Sequence, residues 1–473
     1  MKRPVALFVA AALLTGCAAG PDFQRPAPPA AGGYRAAPIE VSGQNLVSGA
    51  AVSAQWWRAF GSPALDGLIE RALAANPNLA AARASLRSAQ ELAIAQRAAL
   101  WPQASASLSP TRQRIGDKLS SPLNAPANPF SLHTAQLSIA YAPDVFGGTR
   151  RATEALEAQA EVQRFELEAA RISLATNVVT AAVQEAGLRD QIAAAEAAIA
   201  AQVSVLDLMR RQEALGDIGK AAVAAQEALL AQSRAALPPL RKQLGQTRNL
   251  LAALAGGFPD TELTPAFHLA DFHLPHELPL SLPSALVEQR PDVRAAEATL
   301  HVASAQVGSA AAARLPQFSI DAGIGSVATR LAELFKAGGG FWSIAGAVTQ
   351  SIFDGGALGH RESAAQAAYD AAAAQYQATV IGAVQNVADT LYALEQDAQA
   401  LGIAEDASRA ASRSLAFAKR QFQLGDVAWI AVLNAEQAGR QAEVALAQAR
   451  AARYADTAAL FQALGGGWWE RPL

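Results

Sequence analysis

Apolar positions along this chain follow two periods, and each period appears twice. From Thr149 to Leu215 no proline interrupts an alanine-rich run in which Phe165, Ile172 and Val179 stand seven residues apart, as do Ile192, Ile199 and Leu206. A seven-residue apolar repeat is the seam of a coiled coil. At 1.5 Å per residue the run predicts a helix about 100 Å long, a rod that no globular domain houses. A second proline-free, alanine-rich stretch runs from Ala357 to Leu464. The same punctuation ends the long helix in each: Leu215-Gly216-Asp217 in "RQEALGDIGKAAVAAQEA" and Leu424-Gly425-Asp426 in "RQFQLGDVAWIAVLNAEQ". The glycine suits the C′ position of a helix end, and the aspartate suits an N-cap. Each break therefore reads as the reversal of a helical hairpin, with a return helix from Lys220 to Leu254 after the first.

The second period is two. In "HTAQLSIAY", Ala135, Leu137, Ile139 and Tyr141 share one face, against Gln136 and Ser138. In "FSIDAGIGS", Phe318, Ile320, Ala322 and Ile324 alternate with Ser319, Asp321, Gly323 and Gly325. "ASASLS" (104–109) and "WSIAGAVT" (342–349) are weaker versions of the same pattern. Each strand is predicted at about nine to eleven residues, the length that crosses an outer membrane at a tilt. Trp101, Tyr141, Trp342 and Phe353 lie at or near strand ends, where aromatic girdles belong. A soluble sheet with one buried face is the competing reading of the alternation. The connections Thr111 to Leu132 and Ser326 to Gly340 read as exposed tips.

Five landmarks recur in the same order. "ANPNLAAARASLRSAQ" (75–90) matches "QRPDVRAAEATLHVAS" (289–304), and Trp101-Pro102-Gln103 matches Leu315-Pro316-Gln317. "PDVFGG" (143–148) matches "SIFDGG" (351–356), Gly216 matches Gly425, and "LAGG" (254–257) matches "LGGG" (464–467). Each half reads as helix, two strands, long helix, tight turn, helix. The first helix opens after Pro77 in one half and Pro291 in the other. The expected division is a signal over 1–17, an N-terminal arm over 18–75, a first repeat over 76–255, a belt segment over 256–288, a second repeat over 289–464 and a tail over 465–473.

Composition sharpens this picture. The 473 residues are 51% hydrophobic but only 6% aromatic, so the helices must pack closely on small side chains. A net charge of −3 implies no polyanion, and hence no nucleic acid, as partner. Lys2 and Arg3 precede a short apolar run, Val5 to Leu14, ending in "LTGC" at Cys17. That is the pattern of a bacterial lipoprotein signal, with Cys17 as the lipidated residue. Ala18 after it favours the outer membrane. Cys17 is the only cysteine, so no disulfide forms within one chain. No later uninterrupted apolar run reaches the length of a transmembrane helix, so membrane crossing is expected by β-barrel.

Four strands cannot close a barrel. The chain must pool strands with copies of itself, and three copies supply twelve. The expected fold is mixed α+β: a homotrimeric twelve-stranded membrane β-barrel, four strands per chain, continuous with a long α-helical periplasmic tunnel and built from two internal structural repeats. Gly216 and Gly425 then mark the tunnel's far mouth. At this point the chain resembles the TolC-like outer-membrane factors, and is most similar to the NodT-type efflux outer-membrane lipoproteins. The repeat, the lipoprotein signal, "WWRAFGSPALDGLIERALAANPNL" (56–79) and "LPLSLPSALVEQRPDVRAAEATL" (278–300) carry the resemblance. It implies a homotrimeric exit duct of a tripartite efflux pump, lipid-anchored in the outer membrane, with a periplasmic adaptor and an inner-membrane transporter as partners. A type I protein-secretion duct would share the architecture. Trp56, Trp57, Trp468 and Trp469 are expected to anchor a belt around the helices.

The adaptor is expected at the tips Leu215, Gly216, Asp217 and Leu424, Gly425, Asp426. In the resembled family the helix after the second tip commonly carries lumenal acids. The corresponding positions here are Ala431 and Asn434, and Phe422 replaces a tyrosine. The expected gate is Val427, Ile430 and Asn434, an apolar and amide constriction, with Asp426 engaged as an N-cap. No catalytic constellation stands out, and no cofactor or metal is expected. His268, His273, His276 and Glu277 match no tight ligand spacing.

Overall fold

A computed structural model describes residues 18–29, 33–35, 41–115, 129–260 and 266–470. Cys17 and the segment before it lie outside the described residues, as does most of the predicted Thr111–Leu132 connection. The elements, in chain order, are β1 (Asn45–Ser48), α1 (Pro63–Ala75), α2 (Pro77–Arg97), β2 (Gln103–Gln113), β3 (Phe130–Tyr141), α3 (Gly148–Ala214), α4 (Lys220–Leu254), β4 (Glu277–Leu280), α5 (Pro283–Gln289), α6 (Pro291–Ala312), β5 (Gln317–Ala328), β6 (Gly340–Thr349), α7 (Ala357–Leu424) and α8 (Trp429–Ala463). The order α2-β2-β3-α3-α4 is followed by α6-β5-β6-α7-α8. Counterparts match in length, at 21 and 22, 67 and 68, and 35 and 35 residues. The chain forms two compact units, each drawn from three separate stretches.

The first unit (Met1–Pro26, Ser85–Gln163, Ala295–Tyr376) holds an antiparallel sheet in the order β2-β3-β5-β6. Its register aligns the apolar residues of all four strands. Ala106 pairs with Leu137, Leu137 with Ile324, and Ile324 with Trp342. One row further along, Ala104, Ile139, Ala322 and Ile344 are successive partners. The opposite face carries Ser105, Ser138, Gly323 and Ser343 in one such row. The apolar face is bare: Leu108, Ile324, Trp342 and Ile344 are 61%, 62%, 74% and 72% exposed. A soluble sheet would bury that face under another layer, so the competing soluble reading loses its core. Among the described residues, β2 and β6 each leave one edge without a strand partner.

Both strands flanking the first connection outrun their expected ends, because Thr111 pairs with Leu132 and Gln113 with Phe130. β5 likewise continues to Ala328. The long helices leave the sheet under acid caps. Asp144 accepts from the N–H groups of Thr149 and Arg150 (both 2.9 Å), and Asp354 from those of Gly356 and Leu358 (2.8 and 2.9 Å). These bonds hold the Asp354 carboxyl below its usual range. They also explain the paired "PDVFGG" and "SIFDGG" landmarks, although the acid stands at different places in the two.

The second unit (Ala27–Ala84, Arg164–Arg294, Gln377–Leu473) contains α4 and α8, α3 from Arg164 and α7 from Gln377, and the short elements of the expected belt. β1 and β4 pair in parallel. Trp56 is 2% exposed and stacks on Phe461 at 5.2 Å, and Trp468 meets Phe165 edge-on at 5.7 Å while its Nε1 donates to Gln289 O at 2.7 Å. Asn76 serves two helices. Its Oδ1 caps α2 at the N–H of Asn78 (2.9 Å), and its Nδ2 donates to Leu254 O at the end of α4 (3.0 Å). Two features depart from the expected pattern. α4 carries Pro238 and Pro239 in its interior, where two successive backbone donors are missing. α3 contains a stretch apolar enough on average to pass for a membrane span, although no uninterrupted apolar run marks it. Much of that apolarity is alanine, which lets helices approach closely.

The glycines at helix ends differ in what confines them. Gly425 has φ +82° and open space around a would-be Cβ. Gly467 has φ +67°, and a Cβ there would lie 2.2 Å from Val52 O. Gly425→Ala is expected to cost about 1–2 kcal/mol from the left-handed conformation alone. Gly467→Ala should cost clearly more, since backbone must move. Denaturation midpoints of the two variants check this; equal losses would show that contact with the N-terminal arm does not matter.

Candidate functional site: the two hairpin tips

Both hairpins of the second unit reverse by one mechanism. The N–H of Gly216 donates to Glu213 O (2.9 Å) and that of Asp217 to Gln212 O (2.9 Å). The Gly425 N–H donates to Phe422 O (3.0 Å) and the Asp426 N–H to Gln421 O (2.9 Å). These are Schellman closures, with glycine at C′ and aspartate at C″. The expected N-cap role of the aspartates is overturned. The return helices begin at Lys220 and Trp429, so the N-caps are Gly219 and Ala428, and neither makes a side-chain cap bond. Asp217 and Asp426 stand two residues too early for their carboxylates to take that place. They serve through their backbone N–H instead, closing the preceding helix.

Leu215 and Leu424 are 78% and 69% exposed, so both tips present an apolar side chain beside a glycine. Ile430 is 57% exposed and Asn434 is exposed, four residues apart on α8, away from buried Val432 and Leu433. Val427 is half-buried and precedes the helix, so it does not share the helical register of the other two.

Trp429 is the residue that sequence reasoning missed. It meets Phe422 edge-on at 4.9 Å across the turn. It also packs on a cluster made by the first hairpin: Leu206, Met209, Val223 and Leu230. Its Nε1 reaches Gln226 Oε1 at 3.5 Å. A tryptophan at a helix start in an alanine-rich run, in a chain with only seven, was the available signal. Two charges on α8 are engaged within the protomer, whereas the carboxylates of Asp217 and Asp426 stay exposed at the turns. Glu436, 8% exposed, pairs with Lys419 of α7 at 3.3 Å. The Arg440 guanidinium donates to Ser233 Oγ of α4. Burial lowers the Arg440 pKa, and Glu436 works against that. His268 bonds Asp190 at 3.2 Å, and no metal-ligand cluster occurs among the described residues.

The sequence of residues 68–257 and 282–466 matches the family model described as outer membrane efflux protein. The chain belongs to the outer membrane efflux protein family. It is an outer-membrane protein that acts in efflux, and its relatives are channels rather than enzymes. The pyoverdine export outer membrane protein OpmQ of Pseudomonas putida is 29% identical, over 88% of this chain and 88% of its own length. The probable efflux pump outer membrane protein TtgC of the same species is 29% identical, over 99% and 96%. The solved outer-membrane channel OprN superposes with a TM-score of 0.84 at 26% identity, covering 96% of this chain and all of that one.

One titrating group in the efflux protein's helical unit has a consequence for pH. Asp456 of α8 is pushed up to about 6, because burial disfavours its charge and its carboxyl hydrogen-bonds to Asp397, while Arg453 pulls the other way. Arg453 is itself buried, its guanidinium donating to Leu394 O and Ser42 O. The folded protein therefore keeps a proton that the unfolded chain gives up near the ordinary value of 3.8. This group favours the fold fully below that value, and the advantage fades as pH rises toward about 6. Asp456→Asn is expected to gain stability over the parent progressively across that window and to hold the gain above it. Denaturation midpoints of both proteins against pH test this; a constant difference would contradict the raised pKa.

Proposed function

We propose that three copies of this chain close a twelve-stranded barrel, β2 of one against β6 of the next, and that their helices form the tunnel of an exit duct. The supporting observation is the sheet itself. It presents a continuous exposed apolar face and two open edges, and open edges are not tolerated in hydrocarbon. The duct passively conducts small molecules from a periplasmic adaptor and inner-membrane transporter to the exterior. The names of OpmQ and TtgC, with pyoverdine export and an efflux pump, agree with small-molecule cargo. Lipid on Cys17 tethers the trimer to the outer membrane without spanning it.

The adaptor docks at the tips, at Leu215–Asp217 and Leu424–Asp426, where an exposed leucine beside a glycine leaves room for a partner helix. Cysteine placed at position 215 or 424 is expected to crosslink to the adaptor in cells. Crosslinks that form only at the belt around Trp56 and Trp468 would overturn the docking. Ile430 and Asn434, with Val427 behind them, form the gate. It resists ions by dewetting and amide contacts rather than by a carboxylate ring. In planar bilayers the channel should show little block by multivalent cations. Asn434→Asp should create such block, and Ile430→Ser should raise conductance. Strong cation block of the unaltered channel would mean that the gate lies elsewhere.

A further inference from the structure

The first described residues are laid into a slot in the sheet-bearing unit. The Ala19 N–H donates to Phe146 O at 2.8 Å, and Ala19 O accepts from Arg151 Nε at 3.3 Å. Arg151 is 5% exposed beneath the arm. Its other nitrogens reach Asp22 Oδ1 at 2.6 Å and Glu154 Oε2 at 2.8 Å. His301 of α6 bonds Glu154 at 2.8 Å, and its ring stacks on Phe23 at 4.3 Å, inclined by 14°. Arg25 pairs with Glu297 of α6 at 3.0 Å. Burial alone would raise the Glu154 carboxyl, but bonds from His301 and Arg151 bring it below its usual range.

The backbones meet closely as well. A Cβ on Gly20 would lie 2.4 Å from Gly308 Cα, one on Gly308 2.9 Å from Ala19 O, and one on Gly147 2.9 Å from Ala18 Cα. The slot thus takes bare backbone on one side and two charges and a ring on the other. A loose linker to a lipid anchor requires none of this. Phe146 lies five residues beyond β3, and its ring is 6.3 Å from that of Phe318 on β5. The slot therefore sits at the helix-side end of the sheet.

We propose that Ala18–Arg25 is a latch and that Gly147, Arg151, Glu154, His301 and Gly308 form its binding site, fixing the amino terminus at the foot of β3 and β5. Acyl chains on Cys17 then enter the bilayer at one place, against the sheet's apolar face. The lipid half rests on the lipoprotein reading above, and the docking half does not.

Chymotrypsin separates the possibilities, because Phe23 is a cleavage site held against His301. The purified full-length protein is exposed to the protease, and the mass of the remaining chain is followed for a new start at Gln24. The docked arm should resist cleavage at least about tenfold longer than in Arg151→Ala or His301→Ala, since cleavage tracks the open population. Asp22→Asn with Arg25→Gln alters only the arm, and it should give the same loss if the slot variants fail to fold. Equal cleavage in parent and arm variant would overturn the latch. A Cys17→Ser chain exported through an unlipidated signal should resist as the parent does. If its resistance is lost, the lipid and not the slot holds the arm. An unmodified Cys17 in the parent's mass spectrum, with resistance intact, would leave the latch standing and remove the lipid placement.

Discussion

Backbone polar groups that no water can reach constrain this protein more than any single side chain. In hydrocarbon each unbonded N–H or C=O costs several kcal/mol, on the order of the stability margin of a small domain. The four strands bond one another through the middle of the sheet, and what remains open is one edge of β2 and one of β6. Other features of the sheet-bearing unit suit a solution shared between copies. Through the middle of the sheet all four strands put apolar residues on one face in register, with Phe130, Val327 and Phe341 on the other face nearer the strand ends, and a slip of one residue would invert the arrangement. The acids Asp144 and Asp354 bond the first free N–H groups where the chain leaves the sheet for the long helices.

The same constraint is met differently in the helical unit. A helix satisfies its own interior, so only its ends need help. Four ends receive the same closure, after Leu215, Ala255, Leu424 and Leu464, each through a positive-φ glycine and two backbone bonds. At the two tips nothing crowds the glycine; at the other two, backbone stands within 2.5 Å of a would-be Cβ. One local motif thus serves as an uncrowded turn at Gly216 and Gly425 and as a tight backbone junction at Gly256 and Gly465. Alanine makes the long helices workable because close approach replaces the large apolar contacts that scarce aromatics cannot supply. The aromatics that do exist gather where the chain is least regular, around Trp56, Phe461 and Trp468.

Most of the architecture was legible from period and punctuation, and the failures are instructive. The seven-residue spacing of Phe165, Ile172 and Val179 marks a helix that runs as long as expected, and the alternation in "HTAQLSIAY" marks a strand. Propensity missed what depends on distant partners. Asp426 looks like an N-cap because it precedes a helix, but the start of α8 is placed by packing of Trp429 on the other hairpin. The strand ends around Thr111 and Leu132 looked like loop because the segment they bound is rich in Pro, Asn and Ser, and only cross-strand pairing extends them. The return helix expected over Lys220–Leu254 is found with those bounds, although it passes through Pro238 and Pro239. The N-terminal latch left almost no local trace, because its contacts join Asp22 and Phe23 to residues more than a hundred positions away.

The proposed gate draws on how the second hairpin disposes of the charge on α8, while the Asp426 carboxylate stays exposed at the turn before it. An acid can line a lumen only if the protomer leaves it without a close cation. Glu436 is the first acid after the second turn, and Lys419 holds it from inside the hairpin, beside Arg440. A partly buried pair of this kind loses far more when one member is removed than it contributes while intact. Moving Glu436 to the lumen would strand Lys419 and Arg440 together. The face left outward on α8 is then Ile430 and Asn434, which need no counter-ion and would carry little desolvation cost in the proposed trimer. Closure built from such groups is weakly sensitive to salt, whereas a ring of carboxylates weakens its own closure by repulsion and depends on bound cations to relieve it. Pairing charge behind the face and leaving amide and alkyl groups in front is therefore one arrangement, and the proposed gate is its outward side.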